Sequence, residues 1–389
     1  MLPNLFRYVS LPDNVSDKDK IKKYEMTVRL AYEYPAKILE PLLKHTVHYK
    51  ILRFISKIGE LSINKTFKDI QITNESIGGV SCRVYKKTTA KVEGAILYIH
   101  GGGFFVLRPK YFDITCAELA DKTNFIVFSI DYSLSPEAPY KAALSECETV
   151  LKNLYEKSYN DYMFNKNKII IFGESAGGNI AASLALRLVR DNKNYYFYRQ
   201  ILVNPIVSYV NYTSPSHQIY KNSYHGSSFL SPQFKTIMLM YYAKMKLSKE
   251  EIKKITLNIH IPKAIRELSY LSNENLPNDW NTNNNNELDN DLTDSELIEK
   301  MYKIVTDPDI SPILADDDDL IKLQRTMIVT SGIDILRDEG FLFHRRLKNV
   351  GVDTTWKHYD NTVHGIISMW DFEMRNVVMN DIIGFIVKN

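Results

Sequence analysis

Ser175 is the residue that the sequence most clearly prepares for chemistry. It is the centre of the motif Gly173-Glu174-Ser175-Ala176-Gly177, which lies between a short apolar run and a stretch of apolar and small residues at helical spacing. A G-x-S-x-G turn strains the backbone of its central residue, so glycines are needed on both sides, where a Cβ would clash. The hydroxyl would then stand at the end of a strand, beside unpaired N–H groups that suit a developing negative charge. An ordinary strand-to-helix turn explains these five residues equally well, so the rest of the chain has to decide.

A second candidate site is the loop His100-Gly101-Gly102-Gly103, which follows the apolar run 94–99. Glycines without side chains can approach a ligand closely and donate backbone N–H groups to it. We expect His100 to shape this loop. A plain glycine loop is the alternative, but it becomes less favoured once a serine turn follows downstream.

A serine hydroxyl becomes a useful nucleophile when a base removes its proton and a carboxylate orients that base. In α/β-hydrolases the acid and the histidine follow the serine in that order, in loops after late strands. Asp334 comes three residues after the apolar run that ends at Ser331, and His364 follows the last alternating stretch. We therefore predict a chain of Ser175, His364 and Asp334.

Other acids and histidines compete for these two roles. Asp338 and Glu339 fall within the predicted helix after the acid loop, where capping or bracing is the favoured interpretation, and Asp360 is a weaker rival. His344 lies in a predicted helix and His358 in a predicted strand, so neither has the expected loop position.

Strands that alternate with helices must position these residues, and that alternation predicts an α/β fold with a parallel sheet and helices on both faces. The predicted strands are a hairpin within 66–86, followed by 94–100, 124–131, 168–172, 200–207, 326–331 and 353–359. Helices are predicted over 140–157 and directly after the serine turn. Two more are predicted, one that follows the acid loop and ends at about residue 350, and one over 366–387.

The alternation stops between residues 208 and 308, where we predict a helical cap. Helical stretches are expected near 231–242 and 295–304, with a solvated loop over 273–294. The predicted organisation is therefore an N-terminal helical cap segment (1–65), a first part of the hydrolase core (66–207), the cap insertion (208–308) and a second core part (309–389). Apolar residues at helical spacing over 38–58 predict one or two amphipathic helices that pack on the body, cover a pocket or contact a membrane surface.

Composition excludes several other classes of function. Lys plus Arg is 49 against 46 for Asp plus Glu in 389 residues, and the basic residues are scattered, so no nucleic-acid surface is predicted.

Cys82, Cys116 and Cys147 lack the spacing of a disulfide framework or zinc site and are expected to be buried thiols. The run 316–319 of four aspartates is typical of a solvated turn rather than a metal site, and no metal or cofactor is predicted. No apolar run is long enough for a membrane span, and the first 23 residues lack the apolar core of a signal peptide.

Four motifs resemble one known family closely. They are HGGGF at 100–104, GESAGGN at 173–179, DILRDEG at 334–340 and HG at 364–365. Together they resemble the hormone-sensitive lipase branch of the α/β-hydrolases. Three further stretches, LPDNV at 11–15, SPILADD at 311–317 and RRLKNVGV at 345–352, are most similar to the group of arylacetamide deacetylase and neutral cholesteryl ester hydrolase. The resemblance spans most of the chain and is weakest in the cap.

The resemblance implies a serine hydrolase of carboxylic esters that works through an acyl-enzyme on apolar or acetylated substrates. It implies Ser175 as nucleophile, His364 as general base and then acid, and Asp334 as the residue that orients it. It further implies an oxyanion hole made by the N–H groups of Gly102, Gly103 and Ala176. Aryl amide or neutral lipid hydrolysis at the same site is an alternative, and a ligand-binding protein that has lost catalysis is a less favoured one. The family suggests the endoplasmic reticulum, with the cytoplasm as runner-up because the chain shows no signal of its own; the sequence gives no prediction of oligomeric state.

The sequence departs from the family pattern in three respects. Glu174 stands where the family usually has Asp before the nucleophile, and Ser133 stands where it usually has Arg, so we expect altered bracing around the site rather than altered chemistry. Phe105 and Ser331 stand where vertebrate deacetylases carry two cysteines, so a disulfide at that place is absent.

Overall fold

The computed structural model describes residues 11–13, 15–30, 48–61, 66–220, 230–280 and 292–388. One eight-stranded sheet runs through it in the order β1-β2-β4-β3-β5-β6-β7-β8. Its strands are β1 (Ile70–Ile77), β2 (Val80–Lys87), β3 (Ala95–Ile99), β4 (Ile126–Ile130), β5 (Ile169–Glu174), β6 (Arg199–Val203), β7 (Arg325–Ile333) and β8 (Thr354–Val363). The hairpin β1–β2 and the pair β2–β4 are antiparallel, and all other neighbours are parallel.

Helices cover the sheet on both faces, as the sequence predicted. Every residue of β3, β4, β5 and β6 is buried, which a parallel sheet achieves only when both of its faces are packed. The helices are α1 (Lys18–Val28), α2 (His48–Leu61), α3 (Asp113–Thr123), α4 (Ala142–Asn153), α5 (Tyr159–Tyr162), α6 (Ala176–Arg190), α7 (Pro215–Ile219), α8 (Pro232–Tyr242), α9 (Lys249–Thr256), α10 (Lys263–Arg266), α11 (Ser295–Val305), α12 (Asp317–Leu320), α13 (Arg337–Asn349) and α14 (Glu373–Val387).

The strand predicted over 200–207 is shorter in the structure and ends at Val203. Asn204 adopts a left-handed backbone with φ 44°, and Pro205 has no N–H to donate to a neighbouring strand. The strand was predicted too long because the apolar run continues past Val203, where the backbone leaves the sheet. The turn that results brings the Asn204 side chain to the edge where the site lies.

The last two strands are longer than predicted, and their extension positions the site. Ile333 of β7 pairs with Val363 of β8 after an irregularity in register at Ser331. Because the strands are parallel neighbours, the next residue of each, Asp334 and His364, emerges at the same edge of the sheet.

Outside the sheet, the structure adds to the sequence prediction at two places and contradicts it at one. Part of the helical prediction over 38–58 lies outside the described residues, whereas α2 matches its second half and α1 is an additional helix. Helix α9 was missed although Ser248 and Glu251 form a capping box at its start. The solvated loop predicted over 273–294 is wrong for residues 273–280, which form short 3₁₀ turns and bury Trp280 against Phe341; residues 281–291 lie outside the described part.

Candidate active site

The turn between β5 and α6 holds Ser175 in a rare backbone conformation, with φ 56° and ψ −119°. Glycine is required on both sides, because a Cβ on Gly173 would lie 2.2 Å from the carbonyl O of Gly177 and one on Gly177 would lie 2.0 Å from that of Ile99. The serine itself is 7% exposed. The predicted strand, turn and helix are confirmed, and the hydroxyl lies at the carboxyl end of the sheet.

Ser175, His364 and Asp334 form one chain of hydrogen bonds. The Oγ of Ser175 lies 3.0 Å from Nε2 of His364, and Nδ1 of His364 lies 2.8 Å from Oδ2 of Asp334. A buried carboxylate on Nδ1 fixes the tautomer in which Nδ1 carries the proton, so Nε2 is free to accept from the serine. The structure therefore brings together the three residues that the sequence singled out.

Two further donors hold the Asp334 carboxylate, whose side chain is fully buried. The N–H of Leu336 donates to Oδ1 at 2.9 Å, and the side-chain amide of Asn204 donates to Oδ2 at 2.9 Å. Sequence reasoning missed Asn204. The dipeptide Asn-Pro at the end of an apolar run was the only signal, and it indicates a turn rather than a partner for an acid.

The pKa of His364 reflects two opposing effects. Burial of the ring disfavours the charged imidazolium, but the Asp334 carboxylate and, to a smaller extent, the charge of Glu174 favour it, and the net result is a raised pKa. About a fifth of the His364 side chain is exposed. The neutral form of a histidine with a raised pKa is a stronger base, so it accepts a proton from a serine more readily.

The rival acids have other partners. Asp338 accepts from Arg337 and from the backbone N–H of Ser216, at 2.7 and 2.6 Å. Glu339 forms a buried ion pair with Lys235 and also accepts the N–H groups of residues 207 and 208. Both acids thus tie helix α13 to other segments of the fold, in keeping with the interpretation that they brace this helix.

The rival histidines lie away from the serine. His358 bridges Thr330 and Asp360, each at 2.8 Å, and His344 contacts Thr354 at 3.1 Å. Their contacts run along the β7 and β8 side of the sheet. Neither of them contacts Ser175.

The glycine loop stands against the serine turn. A Cβ on Gly101 would lie 3.3 Å from the Cβ of Ser175, and Gly102 and Gly103 have φ values of 111° and 61°. The Gly102 carbonyl accepts the N–H groups of residues 105 and 106, which turns the loop tightly. Within the described part of the chain, the N–H groups of Gly102, Gly103 and Ala176 donate to no protein acceptor. They are therefore available to a ligand oxygen.

His100 lies beneath this loop and contacts it directly. Its Nδ1–H donates to the Gly101 carbonyl at 2.8 Å, its ring stacks on Tyr132 at 4.3 Å, and the Tyr132 hydroxyl donates to its carbonyl at 2.9 Å. Burial lowers the pKa of His100 to about 4. The ring is thus neutral at physiological pH and serves as a fixed donor to the loop.

A family model described as the alpha/beta hydrolase fold matches residues 96–260 and 270–368. The chain belongs to the α/β-hydrolase family. Neutral cholesterol ester hydrolase 1 from Bos taurus is 27% identical over 93% of this chain and 90% of its own length. Arylacetamide deacetylase from Oryctolagus cuniculus is 26% identical over 94% and 91%. The predicted resemblance to this group is confirmed, and the chain is an esterase-like member of the family.

A solved structure of a hyperthermophilic esterase from the archaeon Pyrobaculum calidifontis shares the fold. Its TM-score is 0.64 at 23% identity, and the match covers 87% of this α/β-hydrolase and 93% of that chain. This likeness supports the architecture of the sheet and its helices.

Glu174 joins two segments of this α/β-hydrolase beside Ser175. It is buried, and its Oε2 accepts from the Tyr98 hydroxyl at 3.3 Å and from the Ser368 hydroxyl at 3.0 Å. Burial raises the pKa of this carboxyl group. Its other oxygen, Oε1, has no hydrogen-bond partner among the described residues. Glu174 therefore links β3 to the turn that follows His364, a longer-range contact than the sequence alone indicated.

A cavity of about 390 Å³ opens directly over Ser175 and His364. Its walls come from α1, α2, α8 and the turn after His364, and they are mainly apolar: Tyr24, Val28, Leu52, Phe234, Met238 and Met369. The N-terminal helices and the helix α8 thus form the pocket together. An apolar pocket with few polar groups is typical of a site for small or lipid-like ligands.

The described residues of this α/β-hydrolase contain neither a membrane-spanning helix nor a cluster of metal ligands. None of its described helices has the length and apolar character needed to cross a bilayer. In the same residues, no cluster of three or more His, Cys, Asp or Glu side chains could hold a metal ion. Asp317 and Asp319 of the aspartate run form ion pairs with Arg346 and Arg190. The three cysteines are buried free thiols, as predicted.

Proposed function

We propose that this chain hydrolyses carboxylic esters through an acyl-enzyme on Ser175. The observation that carries the proposal is the continuous hydrogen-bonded chain from Ser175 Oγ through His364 to Asp334, with contacts of 3.0 and 2.8 Å. In the first step His364 Nε2 takes the serine proton while Oγ attacks the ester carbonyl carbon. Asp334 stays ionised and stabilises the imidazolium that forms.

The carbonyl oxygen becomes negatively charged as Oγ adds to the carbon. The free N–H groups of Gly102, Gly103 and Ala176 support their role as donors to that oxygen. Loss of one such donor typically costs about 10²–10³ in kcat. Collapse of the adduct breaks the bond to the alcohol oxygen, which leaves with the proton from His364.

Water completes the cycle. His364, neutral again, removes a proton from water, whose oxygen attacks the acyl carbon; the second adduct collapses to release the carboxylic acid and restore the Ser175 hydroxyl. The apolar walls of the pocket favour apolar or acetylated esters. The names of the two relatives point to cholesterol esters and aryl acetamides, so neutral lipid or aryl amide hydrolysis at the same site is the second candidate.

A binding protein without catalysis is disfavoured by the intact contact between His364 and Ser175. The proposed cap over 208–308 and N-terminal segment over 1–65 would set the acyl chain length. Location in the endoplasmic reticulum and contact of the N-terminal helices with a membrane surface stay predictions.

The test is hydrolysis of p-nitrophenyl butyrate together with labelling by a fluorophosphonate probe. Ser175→Ala should abolish labelling and lower kcat on the order of 10⁶-fold. Ser331→Ala is the matched control, because Ser331 is buried near the end of β7 and its Oγ has no hydrogen-bond partner among the described residues; it should keep both signals. Full activity in Ser175→Ala would refute the proposal. If activity depends on Ser175, a panel of esters from acetate to laurate shows which acyl chain length the pocket prefers.

A further inference from the structure

We infer that Arg53, on the N-terminal helix α2, is a positioning residue for the oxyanion loop. By this inference the N-terminal segment takes part in transition-state stabilisation and does more than wall the pocket. The inference rests on the proposed ester hydrolysis at Ser175. It concerns a helix that lies outside the residues matched by the family model, which begins at residue 96.

The guanidinium of Arg53 joins three separate segments. Its Nε–H donates to the carbonyl of Phe105 at 2.6 Å, and an Nη2–H donates to the carbonyl of Ser135 at 2.6 Å. Both terminal nitrogens also meet the carboxylate of Glu137, each at 2.8 Å. One planar group thus ties α2 to the glycine loop and to the loop after β4.

The Phe105 carbonyl is well placed to control the oxyanion donors. The N–H of Phe105 donates to the Gly102 carbonyl at 3.1 Å, and the N–H of Val106 donates to the same oxygen at 2.9 Å. These bonds close the turn that contains the Gly103 N–H. A shift of the peptide at Phe105 would therefore change the direction of the amides that face the substrate oxygen.

The second carbonyl held by Arg53 belongs to the same unit. The N–H of Ser135 donates to the carbonyl of Phe104 at 2.9 Å. Arg53 therefore fixes the glycine loop directly at Phe105 and indirectly through Ser135. Charge-assisted hydrogen bonds of this kind are stronger than neutral ones, and the rigid fork of arginine holds several acceptors at once.

Aromatic packing keeps the guanidinium in place. The Tyr49 ring lies 4.8 Å from it, Tyr49 packs edge-on against Tyr241 at 5.5 Å, and Tyr241 packs against Phe105 at 5.0 Å. The Arg53 side chain is 26% exposed, so its replacement should leave the core intact.

A role in positioning the loop differs from a role in the pocket wall. Helix α2 also places Leu52 in the pocket, and disturbance of that wall would weaken substrate binding and raise KM. Misdirected oxyanion donors would instead lower kcat, because those hydrogen bonds form fully only in the transition state.

The experiment compares Arg53→Met with Lys57→Met, which removes an exposed charge from the same helix. Both variants are assayed with p-nitrophenyl butyrate. They are also titrated with an alkyl trifluoromethyl ketone, to which the serine adds to give an adduct that carries a negatively charged oxygen. The corresponding alcohol, which cannot form this adduct, serves as the comparison ligand. We expect Arg53→Met to lower kcat about tenfold, a fraction of the loss for a deleted donor, with KM within about twofold. The affinity for the ketone should fall by the same factor, while the alcohol binds as before.

Two further variants sharpen the result. Arg53→Lys keeps the charge but not the fork and should restore kcat only in part, and Glu137→Gln leaves both carbonyl contacts and should cost less than Arg53→Met. An unchanged kcat with a raised KM, or equal losses for ketone and alcohol, would overturn the inference and leave the proposed function standing. Absence of ester hydrolysis by the unmodified chain would instead refute the proposed function itself.

Discussion

Asn204→Asp should replace the hydrogen bond that supports Asp334, the proposed catalytic acid, by a repulsion between two carboxylates. Asn204 is fully buried, and its amide nitrogen lies 2.9 Å from Oδ2 of Asp334, the oxygen that also accepts from His364. The new carboxyl group has the same shape, and its left-handed backbone position suits Asp as well as Asn. Two negative charges about 3 Å apart repel by about 6 kcal/mol at an effective dielectric constant of about 20, equivalent to about four pH units.

The two carboxyl groups of the variant would therefore share one proton at neutral pH, as closely spaced carboxylates do. Asp334 then stabilises the His364 imidazolium less well. Replacement of the triad aspartate by asparagine costs about 10⁴ in kcat, because the histidine is held in the wrong tautomer. A shared proton weakens the charge but keeps an oxygen opposite Nδ1, so it should cost less, on the order of 10². Because the shared proton leaves at alkaline pH, the activity of the variant should recover as the pH rises.

The assay is the pH dependence of kcat from about pH 5 to 10, with Asn204→Gly as control. Glycine tolerates the same backbone and removes the donor without adding a charge, so it should cost less and show no alkaline recovery. A profile for Asn204→Asp that is parallel to that of the unmodified chain would refute the reasoning.

The remaining predictions concern protonation and buried charge. Since His364 must be neutral to act as base and its pKa is raised, kcat/KM should fall as the pH drops through a midpoint above 6.5, the ordinary value for histidine. Glu174→Gln removes a negative charge that favours the His364 imidazolium, so the midpoint of the same profile should move to lower pH. Lys235→Met leaves the Glu339 carboxylate buried without its cation and should cost about 3–5 kcal/mol of unfolding free energy. Urea titration checks that loss, and Lys235→Met/Glu339→Gln should lose less, because the amide oxygen can still accept the N–H groups of residues 207 and 208.

The three residues of the hydrogen-bonded chain, which we propose to react, were predictable from the sequence because each depends on local signals. The glycines around Ser175 report a strained turn, and the positions of Asp334 and His364 follow from apolar runs that end just before them. The family resemblance supplied the roles of the glycine amides, which no local pattern assigns to individual N–H groups.

The residues that support the site were not predictable in the same way. Asn204 contacts Asp334 across 130 positions of sequence, and Arg53 contacts Phe105 across 52. Neither contact has a periodicity or a motif, since it depends on how strands and loops pack in three dimensions. The burial of Lys235 could not be predicted for another reason. A lysine within an apolar helix normally lies on the solvent face, whereas here it is buried because it pairs with Glu339.

The turn after β6 contacts both Asp334 and the ion pair that anchors helix α8, which forms part of the pocket wall. At its start, Asn204 donates to Asp334, the proposed catalytic acid. A few residues later, the N–H groups of residues 207 and 208 donate to Glu339, which in turn pairs with Lys235 of α8. Helix α8 carries Phe234 and Met238 into the pocket wall. Movement of α8 away from the core would unpair a buried charge, so this wall is held firmly to the same turn that orients the acid. Substitutions in that turn should therefore change kcat and KM together, whereas loss of Arg53 should act on kcat alone.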